Sequence, residues 1–239
     1  MMKKNIWVIL FLAAFGVNIA GIGLGNNMMQ YLSKPLLLLL LSGWLIAATS
    51  LNANKEKIQL LTGLLFCWAG DVLLLFEKTQ SVFFMAGLCF FLMAHLFFIS
   101  AFRKILSRNH FDIVWWTIIP VMAYYVFIYF FLKDYLGDLK WPVLIYAAVI
   151  SLLLFIATQF FFLKKTSLLF VLLGVKLFVI SDTLLAINKF YVNFSSANLL
   201  IVLTYGLAQF FIVLGAIKYL TTTTSSLQEL SESNEQVSN

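Results

Sequence analysis

Charge is scarce in this chain: Asp, Glu, Lys and Arg make up 11% of its 239 residues, against 62% hydrophobic. A soluble domain carries charge on about a quarter of its positions, so an ordinary soluble fold is excluded and a membrane protein is implied. Histidine is nearly missing too. Only His95 and His110 occur, the second inside the polar stretch Arg108-Asn109-His110, so a zinc centre held by three histidines cannot be assembled. Cysteine is limited to Cys67 and Cys89, both within apolar stretches, where a thiol behaves as a small hydrophobe. The net charge is +6, but the basic residues stand singly or in pairs between apolar runs. They read as topology signals and membrane-surface anchors, with no nucleic-acid partner.

What the chain does have is hydrocarbon in long runs. Segments at about 6–24, 35–51, 57–76, 81–102, 113–132, 141–163, 167–187 and 198–220 are each apolar enough to cross a ~30 Å hydrocarbon core as helices. The first follows Met1-Met2-Lys3-Lys4 in the manner of a secretion signal, but no small-x-small cleavage site follows it and another span comes at once, so it reads as a transmembrane helix. Lys34-Pro35 is expected to open the second span, since proline suits a first helical turn. The fold class is all-α, a polytopic membrane protein with one eight-helix domain over 1–220. The remainder, 221–239, is Ser-, Thr- and Glu-rich and is expected to be disordered.

Orientation follows from Lys and Arg between the spans. Lys3, Lys4, Lys55, Lys57, Arg103, Lys104, Arg108, Lys164, Lys165 and Lys218 fall on one side, and Lys34, Lys78, Lys133, Lys140 and Lys189 on the other. Ten against five places both termini in the cytoplasm of a bacterial inner membrane.

Two acids lie inside the apolar runs in matching surroundings. Gly63 to Leu74 reads GLLFCWAGDVLL and Gly174 to Leu185 reads GVKLFVISDTLL. Each has Gly eight residues before the Asp, a small residue just before it, and Leu-Leu at the second and third positions after it. Pro35 and Pro142 open the preceding spans, and Ala94-His95 and Ala208-Gln209 stand in the following ones. The pattern predicts four helices written twice, with halves of about 1–104 and 105–220. Because four is even, the halves run parallel, about a two-fold axis along the membrane normal. Asp71 and Asp182 then share one depth, each about 7–8 Å inside the outer end of its helix.

Intramembrane acids mark function by default. Two carboxylates sharing a low-dielectric site do not both ionise readily, so one holds a proton while the other stays charged. Such a pair supplies a general acid and a general base for cutting an acid-labile lipid ether. The same groups equally suit a small proton-coupled transporter, and a scaffold whose polar groups merely join helices is the third alternative. His95 sits fourteen residues into its span, deeper than Asp71. Lys34 stands at an expected helix mouth, where it snorkels outward or meets a lipid phosphate. Tyr205 and Gln209, four apart, share a helix face, while Lys176 does not share one with Asp182. Asn18 and Gln159 read as interhelical hydrogen-bonding groups.

The residues Lys34-Pro35-Leu36, Gly70-Asp71 with Leu73-Leu74, Gly87 with Ala94-His95, Ser181-Asp182 with Leu185-Ala186 and Phe190, and Tyr205 with Ala208-Gln209 resemble the lysoplasmalogenase, or YhhN-like, family of eight-helix membrane proteins. Phe98 departs from the family's pattern, which often has a tyrosine after the histidine. The resemblance implies hydrolysis of the vinyl ether bond of lysoplasmalogens, to a fatty aldehyde and a glycerophospho-base, without metal or cofactor. It implies Asp71 and Asp182 as the catalytic pair, with Lys34, His95, Ser181, Tyr205 and Gln209 orienting the substrate or supporting the acids. The implied partner is a lysophospholipid within the bilayer.

Overall fold

In the computed structural model the backbone is described for residues 2–49, 54–77 and 79–238, and the side chains for 6–49, 54–77, 79–80 and 82–223. Leu51, expected to end the second span, and Lys78 lie outside the described residues. So do the side chains of Lys3, Lys4 and the last part of the tail. The described chain is all helical. Its elements are α1 (Met2–Gly23), α2 (Asn27–Ala48), α3 (Lys55–Leu75), α4 (Ser81–Arg108), α5 (Ile118–Leu132), α6 (Lys140–Thr158), α7 (Thr166–Ala186) and α8 (Ala197–Ser238). Each is long and apolar enough to cross a membrane, α5 together with the 3-10 turn Trp115–Thr117 that leads into it. Large apolar side chains such as Leu39, Ile46, Phe127, Phe130 and Ile145 are exposed. A bilayer would cover them, since lipid tails are as apolar as leucine.

Six helices close a ring, with α2 packing on α3, α3 on α4, α4 on α6, α6 on α7, α7 on α8, and α8 back on α2. The other two lie outside it, α1 against α2 and α8, and α5 against α6. Where α7 and α8 cross, glycine brings the backbones together. A Cβ on Gly174 would stand 2.7 Å from the Ala208 carbonyl oxygen, and one on Gly215 would stand 2.5 Å from that of Ser167. On the opposite side of the ring Phe98, fully buried, lies over Gly63, and Phe91 lies over Gly70. The phenyl ring of Phe98 thus fills a notch on α3, a packing role that needs no hydroxyl.

Three of the boundaries that differ from the sequence reading do so for a plain physical reason. First, α2 starts at Asn27, because the Asn26 side chain caps it by accepting from the Met29 amide at 3.2 Å. Pro35 is therefore inside the helix, and Lys34 sits about 10 Å along it rather than at its mouth. Membrane helices tolerate such a proline because neighbouring groups re-satisfy the backbone. Pro142, by contrast, does lie in the first turn of α6. Second, α4 runs on to Arg108, where a 3.6 Å ion pair to Glu56 at the start of α3 anchors it. At 28 residues it is about 42 Å long, more than the hydrocarbon thickness, and its basic end Arg103-Lys104 to Arg108 lies at the helix terminus. Third, α8 continues to Ser238 through the segment expected to be disordered. That stretch holds no glycine or proline, and an established helix adds residues at little cost.

The glycine contacts give a stability test. Gly174→Val forces a side chain into the backbone of α8, and overpacking of this kind costs about 1–3 kcal/mol. Unfolding of the purified protein in detergent is expected at a lower midpoint, whereas Gly16→Val, where a Cβ meets nothing within 4 Å, leaves it unchanged.

Candidate active site

The ring encloses a cavity of about 650 Å³, lined by residues of α1, α2, α3, α4, α7 and α8. Asp71 and Asp182 both line it. Each stands four residues before the last α-helical residue of its helix, Leu75 or Ala186, or roughly 6 Å of rise. After Ala186 the chain widens into a π-turn, Ile187–Tyr191, a local form frequent at functional sites.

The two acids have unlike partners. Lys34 of α2 places its ammonium 3.6 Å from Asp71 Oδ1, and Tyr205 of α8 donates to Asp71 Oδ2 at 2.7 Å. Asp71 is almost wholly enclosed, its side chain 4% exposed, while Lys34 keeps 20%. Thus one carboxylate is held by a cation and a phenol, as a charge out of water requires. Among the described residues no Lys or Arg pairs with Asp182. Its Oδ2 accepts from Tyr146 of α6 in a short hydrogen bond and lies 4.0 Å from His95 Nε2 of α4. Both His95 ring nitrogens are buried and make no hydrogen bond among the described residues.

Beneath the acids the rings interlock. Phe178 stands edge-on to His95 at 4.8 Å and to Tyr205 at 5.5 Å, His95 meets Tyr146 at 5.2 Å, and Phe91 meets Tyr205 at 6.0 Å. Edge-to-face contacts of this kind fix ring orientation, so the two phenols that serve the acids are held through one aromatic floor. Above them the cavity has an apolar wall that includes Leu74, Leu75, Leu185, Ile201 and Val202, and a polar mouth with Asn27, Gln30, Asn193 and Asn198. Across the mouth Glu77 and Lys189 pair at 3.3 Å.

Of the residues singled out from sequence, Asp71, Asp182, Lys34, Ser181 and Tyr205 line this one cavity. Ser181 spends its hydroxyl on the Ile201 carbonyl at 3.1 Å, tying α7 to α8. His95 is behind the cavity wall but beside Asp182, 4.0 Å from its Oδ2, so the depth mismatch suggested by its position along the helix does not keep the two apart. Gln209 does not reach the acids: its amide donates to Cys67 Sγ at 3.4 Å. Lys176 faces outward on α7, away from the site. Asn18 donates to Ser33 at 2.8 Å and Gln159 to Thr117 at 2.8 Å, so both join helices as expected. Tyr146 was missed. Its signal was faint, a lone hydroxyl one turn after Pro142 in a chain with 9 tyrosines and 25 phenylalanines.

The model of the YhhN family matches residues 29–216, a stretch that begins two residues into α2 and covers the whole ring. No curated protein and no solved structure matches the chain.

The pairing of Lys34 with Asp71 is testable without any substrate. Removing one partner of a buried pair strands the other charge, at roughly 3 kcal/mol. Lys34→Met is therefore expected to lower the unfolding free energy in detergent by about that amount, and adding Asp71→Asn is expected to restore most of it. Additive losses in the double variant would show that the two groups do not interact.

Proposed function

The chain belongs to the YhhN family, and from that premise we propose that it is a membrane-embedded hydrolase cleaving the vinyl ether bond of lysoplasmalogens, to a fatty aldehyde and a glycerophospho-base. The observation that carries the reading is that Asp71 and Asp182 line one cavity with an apolar wall, while among the described residues Lys34 pairs with Asp71 and no Lys or Arg pairs with Asp182. The unlike surroundings divide the roles. Asp182, with phenol and imidazole neighbours and no cation, holds a proton; Asp71, held by Lys34 and Tyr205, is the charged partner.

In the proposed reaction Asp182 gives its proton to the vinyl carbon remote from the ether oxygen. The double-bond electrons form the new C–H bond, and the carbon attached to oxygen becomes part of an oxocarbenium ion. The Asp71 carboxylate stabilises that cation and draws a proton from the water that adds to it. The hemiacetal so formed collapses: its C–O bond to glycerol breaks as Asp71 returns the water's proton to the glycerol oxygen, the hemiacetal hydroxyl gives its proton to Asp182 as the aldehyde C=O forms, and both acids end as they began. One water is consumed and no electron is transferred. Lys34 keeps Asp71 charged between turnovers, and Tyr205 and Tyr146 hold the two carboxylates in place.

The scaffold we infer is a duplicated four-helix unit. What supports it is that α2 meets α8 as α6 meets α4, and that each acid takes one partner from the helix before its own and one from the last helix of the other half. The excess of Lys and Arg on one side supports cytoplasmic termini in a bacterial inner membrane, with the mouth of the cavity facing outward.

Purified protein supplied with a lysoplasmalogen in detergent is expected to release aldehyde. Asp182→Asn and Asp71→Asn are each expected to lower kcat by roughly 10²–10⁴-fold, with Tyr146→Phe losing less. Full turnover in both Asp variants would overturn the roles. Substrate- or proton-driven flux in liposomes with the lipid left intact would replace the hydrolase by a transporter.

A further inference from the structure

The ion pair at the cavity mouth does nothing in the reaction just described. Glu77 follows α3 and Lys189 lies in the π-turn after α7, so they are carried by the same two helices as the acids. Glu77 is six residues beyond Asp71, which in helical rise is about 9 Å. Lys189 is seven beyond Asp182. The pair therefore stands above the acids by close to the extended length of a glycerophospho-amine. Both side chains line the cavity and keep partial exposure, 28% for Glu77 and 35% for Lys189. Ion pairs with this much solvent are worth little, so a ligand carrying its own opposite charges can take the place of each partner at small cost.

We propose that Glu77 and Lys189 form a subsite for a zwitterionic phospho-amine headgroup, Glu77 taking the ammonium and Lys189 the phosphate. This rests on the hydrolase reading for the lipid's identity. The polar surroundings suit it. α8 begins at Ala197 in the mouth, and a helix N-terminus favours a phosphate alongside a cation. Lys189 is steadied over the Phe84 ring, 4.6 Å from its centroid, which fixes the ammonium at the rim. Asn198 donates to Gln30 at 3.4 Å, so α8 and α2 frame the same opening. With the headgroup there, the bond next to the glycerol lies level with the two carboxylates, and the chain lies along the apolar wall.

The test reads binding with a lipid that cannot be cleaved. A saturated alkyl-ether lysophosphoethanolamine, the corresponding alkyl glycerophosphate and the plain alkylglycerol are titrated into the full-length protein in detergent. The wild type is expected to bind them in that order of affinity. Glu77→Gln is expected to weaken the phosphoethanolamine lipid roughly tenfold and to spare the alkyl glycerophosphate. Lys189→Gln weakens both, and Lys189→Arg restores both. Each variant is first checked for an unchanged unfolding midpoint without lipid. Equal binding of the three lipids to the wild type, or both Gln variants binding as the wild type does, overturns the proposal. Displacement of the lipid by chain-free glycerophosphoethanolamine at equal concentration also overturns it, by assigning the site to a soluble ester. Because the probes lack the vinyl bond, the two readings fail separately. Headgroup discrimination without cleavage of a lysoplasmalogen keeps the subsite and removes the hydrolase, and cleavage without discrimination does the reverse.

Discussion

Two carboxylates withdrawn from water have to be compensated where they stand, and much of the interior is arranged to do that. Asp71 takes a cation and a phenol, Asp182 a phenol and a neighbouring imidazole. These partners come from α2, α8, α6 and α4, which with α3 and α7 are the six helices of the ring. Compensation and architecture are thus one constraint: a helix that left the ring would strand an acid. The close approach of α7 and α8 at Gly174 and Gly215 serves the same end, since it brings Tyr205 within reach of a carboxylate on α3.

The unequal treatment of the acids gives the site its chemistry. A symmetric pair in one cavity would leave the proton undecided between them. Lys34 breaks the symmetry, and it does so from inside a helix, where its stem is packed, rather than from a loose helix end. Its burial beside Pro35 keeps the ammonium aimed at Asp71 instead of at the membrane surface. In the proposed reaction the division between a charged group and a proton-bearing group follows from that position.

Much of this was legible in the sequence and some was not, for identifiable reasons. The eight helices follow from apolar length, a signal that a bilayer makes strong because its thickness sets a minimum. Asp71 and Asp182 were visible because acids are rare in such runs, and the matching Gly, small residue and Leu-Leu around them pointed to equivalent places. The start of α2 was misplaced because proline was given more weight than Asn26, whose capping side chain extends the helix two turns earlier. Tyr146 was invisible because an aromatic hydroxyl in an aromatic-rich chain has no contrast; only the fold brings it to Asp182. Gln209 shares a face with Tyr205, yet it lies one turn deeper and meets Cys67, so helical spacing alone overstated its reach.

The aromatic floor formed by Phe91, Phe178, His95, Tyr146 and Tyr205 has an electrical consequence. It is a plug of rings on the side of the carboxylates away from the cavity mouth, so in the proposed reaction that mouth is the opening through which the acids meet water. A charge carried all the way across a membrane is worth about 2.3 kcal/mol for each 100 mV. In the proposed reaction a proton borrowed and returned through one opening crosses none of that voltage, so turnover would leave the cell's battery charged.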